Sequence, residues 1–571
     1  MLAVFVILAL TLALLYPVAF PSLPPNVIDC AVTDCTTDLP EQTYDYIVVG
    51  GGTAGNVVAS LLSDDPDLDI LLIEAGPFTK TSRFSLPSIP GLTSLNVASN
   101  SLDHNLNLEP QKTKLSTDSP PGFKNRSIPI PRGKVLGGSN ELNFMLHVPA
   151  HSGDYDHWAA QTSSSQWSSN TMKRHESSVF DAISPTPKTP ATSHPLTNAF
   201  VSSHPNAFHY TAAVQNGVRS STARAYTIPR LLSPRRNLHV HVNAPVSILL
   251  HTADRVTAVE YLGTVAHARH EVIVCAGAYH SPALLVKSGI GNEHVGRHLQ
   301  DHPIVGLKYR LGPEEGVWWP STLTLMTVFG NPWNLFDYFW NGSGPLSTSG
   351  VDFGLFASTN RTYEDRNMPD LQIHGMPTAA DGDFMKNFLK FEPTFQDSFG
   401  VAADYSTLFA QGLIIAPTLL HTNSRGTVTV GSDGEPVVTL ESFEDEDDLR
   451  RLVKGIRLVQ QLMATPEMQV HEPMLLTHAG LERELGVDTD AYWREYLKLF
   501  GFFVYHPVGS CRMGFDPSDS VVDPSLRVHG MAGVRVCDAS IMPENTSGNT
   551  NVPTAAIAHN CVEMIRGIGD N

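Results

Sequence analysis

Three glycines and one acid near the amino end have the residue types and the spacing needed to hold a dinucleotide. Gly50, Gly52 and Gly55 form the pattern G-x-G-x-x-G. In such a turn the first glycine permits a tight bend, the second lets the backbone approach a pyrophosphate, and the third lets a helix pack closely on a strand. Glu74 follows at the distance where a carboxylate can bind both hydroxyl groups of a ribose. A 2′-phosphate beside this acid would be repelled, so NAD and FAD are the two candidates.

The flanking residues predict the elements that must position this turn. Residues 45–49 are rich in β-branched side chains and end at the glycines, which predicts a short buried strand. Residues 56–63 predict a helix whose amino end faces the phosphates, and residues 69–73 predict a second strand that ends at Glu74. Strand, helix, strand and acid follow in order, which distinguishes the stretch from an ordinary glycine-rich turn. We therefore predict a nucleotide-binding α/β unit.

Length and charge limit the classes of protein to which the chain can belong. Its 571 residues suffice for two or more domains, and 42% hydrophobic with 17% charged residues is typical of a globular protein. Acidic residues outnumber basic ones by 57 to 38, which gives a formal net charge of −19. Without a basic surface to neutralise phosphates, we exclude nucleic acid as a partner.

The amino-terminal segment predicts entry into the secretory pathway. Residues 2–15 are apolar apart from Thr11, and a Pro-rich stretch follows up to Pro25. Such a run is short for a membrane span and suits the core of a signal peptide. A membrane anchor is the alternative, because no Lys or Arg precedes the run and no small-x-small cleavage site follows it. Sequons compatible with secretion and glycosylation occur at Asn125, Asn341, Asn360 and Asn545.

The six cysteines predict a little cross-linking and no metal site. Cys30 and Cys35 are close enough in sequence to pair. Cys275 and Cys537 lie in strand-like stretches, where we expect buried free thiols. No group of Cys and His residues has the spacing of metal ligands.

Pattern and composition divide the chain into seven segments. Residues 1–25 are the signal peptide or anchor, and residues 26–41 are a linker. Three parts of the nucleotide-binding domain are expected at 42–150, 220–305 and 505–571. Between them lie a cap or loop region at 151–219, in which 184–205 is expected to be surface loop, and a substrate-binding domain at 306–504.

Two further stretches resemble the signatures of the glucose–methanol–choline (GMC) oxidoreductase family. Residues 277–291, GAYHSPALLVKSGIG, are similar to the second signature, and residues 131–159 are similar to the first. The first departs from the family at Asn140, where a small hydroxyl residue is usual, and at His147, where an aromatic residue or Ala is usual. Shorter matches follow in order at residues 295–303, 424–426, 506–514 and 534–560.

The resemblance covers residues 42–571 and implies both the fold and the cofactor. The expected fold class is α/β (α+β overall), with a Rossmann-like FAD-binding domain and an inserted substrate domain of mixed sheet and helix. The cofactor that the resemblance implies is FAD. The chain is most similar to the fungal aryl-alcohol-oxidase-like branch, some of whose members serve secondary metabolism.

The matching positions carry over the family's cofactor contacts residue by residue. Residues 143–146 are expected to line the flavin, and the backbone of Val246 is expected to meet the adenine. Leu142 stands where some relatives attach flavin through a His, so we expect non-covalent FAD. The expected cofactor-binding set is Gly50, Gly52, Thr53, Ala54, Gly55, Glu74, Ala75, Asn143, Phe144, Met145, Leu146, Val246, Asp538, Ala539, Thr550 and Asn551.

The resemblance also implies the catalytic residues and the reaction. Oxidation of an alcohol needs a base for the hydroxyl proton, and His506 opens the family's catalytic motif. Asn549 falls on the second active-site position, and His559 is expected to be structural. We expect a primary, aromatic or otherwise apolar alcohol, because residues 317–320 and 500–505 are rich in aromatic side chains. Molecular oxygen or a quinone is the expected electron acceptor.

Two alternatives remain at this point. The same fold hosts hydroxynitrile lyases, in which the flavin is structural. The chain could also be a degenerate flavoprotein, because residues 161–216 are altered relative to the family.

Overall fold

The computed structural model describes residues 23–33, 35, 42–79, 85–97, 101–110, 127–187, 195–312, 331–378, 412–440 and 443–567. The core of the expected signal segment, the sequon at Asn125 and the aromatic residues at 317–320 lie outside these ranges. In chain order the strands are β1 (Val27–Asp29), β2 (Gln42–Val49), β3 (Ile70–Ile73), β4 (Thr186–Pro187), β5 (Ala207–His209), β6 (Thr211–Ala212), β7 (Val214–Gln215), β8 (Val218–Arg219), β9 (Leu238–Val242), β10 (Val246–His251), β11 (Val256–Tyr261), β12 (Thr264–Val274), β13 (Pro303–Ile304), β14 (Leu307–Arg310), β15 (Phe353–Ala357), β16 (Leu371–Met376), β17 (Gly412–Leu419), β18 (Gly426–Val430), β19 (Pro436–Leu440), β20 (Met474–Leu475), β21 (Phe502–Phe503) and β22 (Val534–Val536). The α-helices are α1 (Thr53–Leu62), α2 (Thr93–Val97), α3 (Ser152–Thr162), α4 (Ser169–Ile183), α5 (Pro195–Ser203), α6 (Ile228–Leu231), α7 (Gly277–Lys287), α8 (Pro332–Phe336), α9 (Arg361–Asp365), α10 (Glu446–Met463), α11 (Pro466–Gln469), α12 (Ala479–Leu485), α13 (Asp490–Phe500) and α14 (Asn551–Ile565).

The first large sheet carries the nucleotide-binding motif. Its strand order is β1-β9-β3-β2-β12-β11-β10, and β22 also pairs with β12. Strands β1, β9, β3, β2, β12 and β22 pair in parallel, whereas β10 and β11 form an antiparallel extension. Strand β3 is buried along its whole length, as expected for a parallel strand covered on both faces. The predicted strand–helix–strand order is confirmed as β2, α1 and β3.

The second large sheet is antiparallel and belongs to the inserted part of the chain. Its order is β20-β14-β17-β16-β15-β5, with β13 pairing both β17 and β21. Strand β17 is fully buried because α10 packs against it. Helix α10 begins after Asp445, whose carboxylate accepts bonds from the backbone N–H groups of Asp447 and Asp448. The expected α/β class with an inserted mixed domain is confirmed.

The structure corrects two local predictions of chain organisation. The linker expected at 26–41 contains strand β1, which pairs in parallel with β9 at the edge of the first sheet. The surface loop expected at 184–205 contains α5, in which Leu196 and Phe200 are fully buried against the substrate domain. The segment was predicted to be a loop because it is rich in Ser, Thr and Pro. Its two apolar residues, four positions apart, instead lie on one face of a helix.

The cysteine predictions are confirmed in part. Cys30 and Cys35 form a disulfide, and Cys275 is a buried free thiol. The expectation that Cys537 is free is wrong, because Cys537 is bonded to Cys561. Cys537 follows β22 and Cys561 lies in α14, so this disulfide ties the end of a central strand to the last helix. Within the described ranges, no helix has the length and hydropathy needed to cross a membrane.

Candidate active site

The glycine turn joins β2 to α1 through very close backbone contacts. Gly50 has a φ of 101°, a backbone conformation that residues other than glycine rarely adopt. A Cβ atom on Gly55 would lie 1.9 Å from the carbonyl oxygen of Gly50. By contrast, a Cβ atom on Gly52 would meet no protein atom closer than 4.0 Å. The third glycine therefore permits helix–strand packing, while the second leaves space beside the turn.

Glu74 lies at the end of β3 and binds the glycine turn directly. Its Oε2 accepts a hydrogen bond from the N–H of Gly51, and its Oε1 accepts one from the N–H of Gly76, both at 2.8 Å. The side chain is buried, which raises its pKa to about 7 against the opposing effect of these N–H groups. Each carboxylate oxygen keeps a second lone pair that can accept a hydroxyl proton.

Two helices begin at the cavity and are tied together there. Thr53 starts α1 and Asn551 starts α14, and the Thr53 hydroxyl donates to Asn551 Oδ1 at 2.9 Å. The amino ends of helices carry partial positive charge and free N–H groups, which suits an anionic or electron-rich ligand.

Asp538 binds both the first turn of α7 and the residues that follow β22. Its Oδ2 accepts from the N–H of Gly277 and the hydroxyl of Ser281, and its Oδ1 accepts from the N–H of Ser540. The carboxylate therefore links the end of β22 to the start of α7.

A buried arginine organises the turn expected to line the flavin. Arg219 donates from Nη1 to the carbonyl oxygens of Asn140 and Asn143 and to Asn143 Oδ1. Asn143 Oδ1 also accepts from the N–H of Met145, whose φ is 59°. Burial lowers the pKa of Arg219 to about 10, so it stays charged at neutral pH. Arg219 was missed in the sequence because it lies outside every recognised motif.

A cavity of about 480 Å³ brings the predicted site residues together. It is lined by both expected catalytic residues and by every expected cofactor-binding residue except Gly55, which packs behind the turn. This volume is within the usual range for ligand sites. The lining residues expected from sequence are Gly50, Gly52, Thr53, Ala54, Glu74, Ala75, Asn143, Phe144, Met145, Leu146, Val246, His506, Asp538, Ala539, Asn549, Thr550 and Asn551.

The polar groups of the cavity wall fit a large polar cofactor such as FAD. Asn140 is 1% exposed and lines the cavity, yet neither Oδ1 nor Nδ2 has a hydrogen-bond partner within the described chain. A buried amide without partners is costly, so a ligand that supplies both a donor and an acceptor is expected there. Asn140 is the position at which the sequence departs from the family's usual hydroxyl residue. Leu142, at the linkage position, also lines the cavity.

His506 is held at the other end of the cavity by its own backbone. Its N–H donates to Asp301 Oδ1 at 2.8 Å, and its carbonyl accepts from Asn545 Nδ2 at 3.0 Å. The preceding residue, Tyr505, has a φ of 65°, and its carbonyl accepts from Arg132 Nη2. Asn545 is 2% exposed, so the sequon at this position is not available for glycosylation.

The His506 ring is hydrogen-bonded on both sides. Its Nδ1 lies 3.1 Å from His302 Nδ1, and its Nε2 lies 3.3 Å from Asn549 Nδ2. Asn549 Oδ1 accepts in turn from Gln372 Nε2 at 3.3 Å. The two residues expected to be catalytic are therefore adjacent, and Gln372 on β16 orients the second.

The chain of hydrogen bonds continues from Gln372 to a second histidine of the wall. Gln372 Nε2 also donates to the hydroxyl of Tyr210, which lies 2.9 Å from His374 Nδ1. His374 lines the same cavity as His506. Neither Gln372 nor His374 was identified from sequence, because both look like ordinary members of a buried strand.

Burial keeps these histidines neutral. It lowers the pKa of His506 to about 3, with further contributions from His374 and Arg132, and it lowers the pKa of His374 to about 4. His559 is separate from them, within α14, and its Nε2 is bonded to the hydroxyl of Tyr226. Within the described residues, no cluster of three or more His, Cys, Asp or Glu side chains could hold a metal ion.

The first sheet is Rossmann-like, and the cavity begins at its glycine turn. A histidine–asparagine pair lies at the far end of this cavity. Together these features define a nucleotide-dependent oxidoreductase. Residues 44–203 and 187–304 match the amino-terminal profile of the GMC oxidoreductases, and residues 422–558 match the carboxyl-terminal profile. The chain belongs to the GMC oxidoreductase family. It is an FAD-dependent alcohol oxidoreductase.

A curated relative supports the family assignment, and two solved structures share the fold. The oxygen-dependent choline dehydrogenase of Paraburkholderia xenovorans is 30% identical, over 92% of this chain and 94% of the relative. Among solved structures, pyridoxine 4-oxidase from Mesorbium loti has a TM-score of 0.71 at 20% identity, covering 92% of this chain and 99% of the other. A fungal aryl-alcohol oxidase has a TM-score of 0.70 at 20% identity, covering 93% and 100%.

Proposed function

We propose that the protein oxidises a primary, aromatic or otherwise apolar alcohol to the aldehyde, with His506 as the base. The observation that carries this proposal is the position of His506 Nε2, which faces Asn549 at the wall of the cofactor cavity. FAD held in this cavity would supply the acceptor for the hydride of the alcohol carbon. The protein must therefore bind the alcohol, remove its hydroxyl proton and exclude water.

The hydrogen bonds around His506 suit proton removal. Asn549 donates to Nε2, so this nitrogen has a lone pair and the ring proton is on Nδ1, directed at His302. A base with a lowered pKa is weak, so the proton must move as the hydride leaves, because loss of the hydride makes the substrate oxygen electron-poor and its hydroxyl group more acidic. Asn549 can donate to the same oxygen and orient the alcohol.

The substrate part of the cavity wall supports an apolar substrate. It includes Phe500, Phe502, Phe503 and Tyr496, together with Ile414 from β17. The carboxylates among the described lining residues are Glu74 and Asp538, which bind backbone groups, and Glu435, which is exposed. Asp301, the buried carboxylate that accepts from the His506 N–H, is not among the described lining residues. A cation such as choline, the substrate in the name of the bacterial relatives, would therefore meet no further carboxylate among the described residues of this wall. The resemblance to the aryl-alcohol-oxidase-like branch is the sole support for a role in secondary metabolism.

The test is anaerobic reduction of the bound flavin by a panel of alcohols. With a benzylic alcohol, the yellow flavin band should bleach in the wild type. His506→Ala should keep its flavin and reduce it about 10²- to 10⁴-fold more slowly. The matched control is His559→Ala, which removes a half-buried histidine of α14 and should reduce its flavin at the wild-type rate.

Two outcomes would contradict the proposal. If no alcohol bleaches the flavin, the oxidation proposal is wrong and a non-redox use of the fold becomes the better explanation. If His506→Ala is reduced normally while His559→Ala is not, the base has been assigned to the wrong histidine. Aerobic turnover measured in parallel by hydrogen peroxide formation and by a quinone dye distinguishes molecular oxygen from a quinone as acceptor.

We further propose that the FAD is not covalently attached. Leu142 has no atom that can bond to the flavin ring, and it stands at the position of the linking histidine in some relatives. Acid precipitation should therefore release all flavin into the supernatant. Flavin that stays with the pellet would mean that another residue forms the link.

We also propose that the protein is secreted or follows the secretory pathway, with membrane anchoring as the alternative. Two disulfides support an oxidising compartment, together with the apolar segment at 2–15. Asn341 and Asn360 are exposed and can carry glycans, whereas Asn545 is buried. A mobility shift on deglycosylation should be smaller in the Asn341→Gln/Asn360→Gln variant and lost when Asn125→Gln is added. A mature protein that retains residues 2–15 would indicate an anchor.

A further inference from the structure

One polar group on the substrate wall has no role in the proposed proton transfer. His374 lies on β16, 5% exposed, and its register partner on β17 is Ala416. Met376, two residues along the same face, and Ile414 are apolar members of the same wall. His374 Nε2 has no hydrogen-bond partner within the described chain. A buried ring nitrogen without a partner, on a ring that lines the cavity, points to a group that the ligand must supply.

The chain of hydrogen bonds from the catalytic base fixes what His374 can offer. If His506 Nε2 is the base, Asn549 must direct its NH₂ group at it and its Oδ1 at Gln372. Gln372 then directs Nε2 at both Asn549 Oδ1 and the Tyr210 oxygen. The Tyr210 hydroxyl accepts from Gln372 Nε2, and its other hydrogen-bond partner within the described chain is His374 Nδ1, so its own proton is donated to His374 Nδ1. The ring proton of neutral His374 is consequently on Nε2.

We propose that His374 Nε2 donates a hydrogen bond to an uncharged acceptor oxygen of the alcohol substrate, remote from the hydroxyl group that is oxidised. This assignment rests on the proposed function, because the base at His506 sets the direction of the chain. It names the substrate class more narrowly as alcohols with an ether, carbonyl or second hydroxyl oxygen. A quaternary ammonium group has no acceptor and gains nothing from this donor.

The spacing along β16 sets the separation of the two oxygens. Gln372, which donates to Asn549, and His374 are two residues apart on one face of the strand, or about 7 Å. One aromatic ring spans such a distance. Burial also keeps the His374 ring neutral at physiological pH, since its pKa is lowered to about 4, so the donor suits an uncharged acceptor better than a carboxylate.

The experiment compares methoxybenzyl alcohols with ethylbenzyl alcohols of the same shape, substituted at the ortho, meta or para position. Flavin reduction in the holoenzyme gives a Kd and a limiting rate for each alcohol. The wild type should bind at least one methoxy isomer about 2- to 10-fold more tightly than its ethyl counterpart. The electronic effect of the methoxy group is the same in every variant, so it cancels when preferences are compared between variants.

Three variants test the origin of this preference. His374→Leu should abolish it, while His374→Gln, which keeps an N–H donor near the Nε2 position, should retain most of it. Tyr210→Phe removes the group that fixes the tautomer and should give an intermediate preference. Retained flavin and a thermal unfolding transition close to that of the wild type show that each variant is folded.

The outcomes separate this inference from the function on which it rests. An unchanged preference in His374→Leu at all three ring positions would overturn the inference while leaving alcohol oxidation intact. If no alcohol reduces the flavin, the oxidation proposal fails, and the same comparison is made with methoxytoluenes and ethyltoluenes, which bind without reacting and perturb the flavin spectrum. A methoxy preference that depends on His374 would then still support the donor, and its absence would overturn it.

Discussion

At the nucleotide end of the cavity the shape is held by backbone atoms, whereas at the catalytic end it is held by side chains from distant segments. The glycine turn and Glu74 lie within 25 residues of each other, and their contacts involve N–H and carbonyl groups. His506 is instead positioned by Asp301, Arg132 and Asn545, from three separate parts of the chain. The two ends should therefore fail in different ways when they are altered.

This difference separates binding from reactivity. Backbone groups are polar in any sequence, so the nucleotide end specifies its ligand by leaving space where a side chain would stand. The catalytic end needs side chains with a defined protonation state and tautomer, because the hydrogen bonds there determine which nitrogen has a lone pair. A change at the first end should act on folding or on FAD affinity, and a change at the second should act on rate.

The largest effect is expected at the third glycine. Gly55→Ala places a Cβ atom 1.9 Å from the Gly50 carbonyl oxygen, so α1 cannot pack on β2 and the protein should not fold. The measurement is soluble yield and the thermal unfolding transition of the purified protein.

Gly52→Ala is the matched control for this prediction. Its Cβ atom meets no protein atom closer than 4.0 Å and its φ is −80°, so the variant should fold and lose FAD affinity alone. If Gly55→Ala and Gly52→Ala both fold and hold as much FAD as the wild type, the turn does not contact the cofactor in the expected way.

Glu74→Gln should weaken FAD binding about ten-fold or more, because a charge-assisted bond to the ribose, worth roughly 1.5–3 kcal/mol, is lost. The new NH₂ group would also face the N–H of Gly51 or Gly76. Equilibrium release of FAD measures the first effect. Glu435→Gln, which neutralises an exposed acid of the same cavity, should leave the affinity unchanged.

The pH dependence of stability tests the ionisation of Glu74. Its pKa is raised from 4.5 to about 7 in the folded protein, so the folded state binds more protons than the unfolded state between these values. Its contribution therefore favours folding at low pH and is lost as the pH rises from 4.5 to 7, by up to about 3 kcal/mol. Denaturant unfolding of the apoprotein should show wild type losing stability relative to Glu74→Gln over this range. A constant difference would mean that the two N–H groups keep the carboxylate ionised throughout.

The same contrast explains how much of the molecule the sequence could predict. The turn, its flanking elements and Glu74 were predictable because their spacing is local and each glycine has a separate steric reason. His506 and Asn549 were placed through the family's motifs, and the structure brings their side chains together. Gln372, His374 and Arg219 were not identified, because their partners lie in distant segments of the chain. The Cys537–Cys561 disulfide was missed for the same reason, since nothing in two apolar stretches indicates that they meet.

The smallest predicted effect concerns Gln372, which acts on the reaction through Asn549. Gln372→Leu removes the donor to Asn549 Oδ1, so the Asn549 amide loses its orientation toward His506. One neutral hydrogen bond is worth about 0.5–1.5 kcal/mol, which predicts a reduction rate up to about ten-fold lower with FAD fully bound. The double variant Gln372→Leu/Asn549→Ala distinguishes this route from general damage to the strand. If Gln372 acts through Asn549, the double variant should reduce its flavin no more slowly than Asn549→Ala alone, because the amide to be oriented is already absent. Additive losses would instead assign Gln372 a packing role on β16 and leave the orientation of Asn549 to the cavity wall.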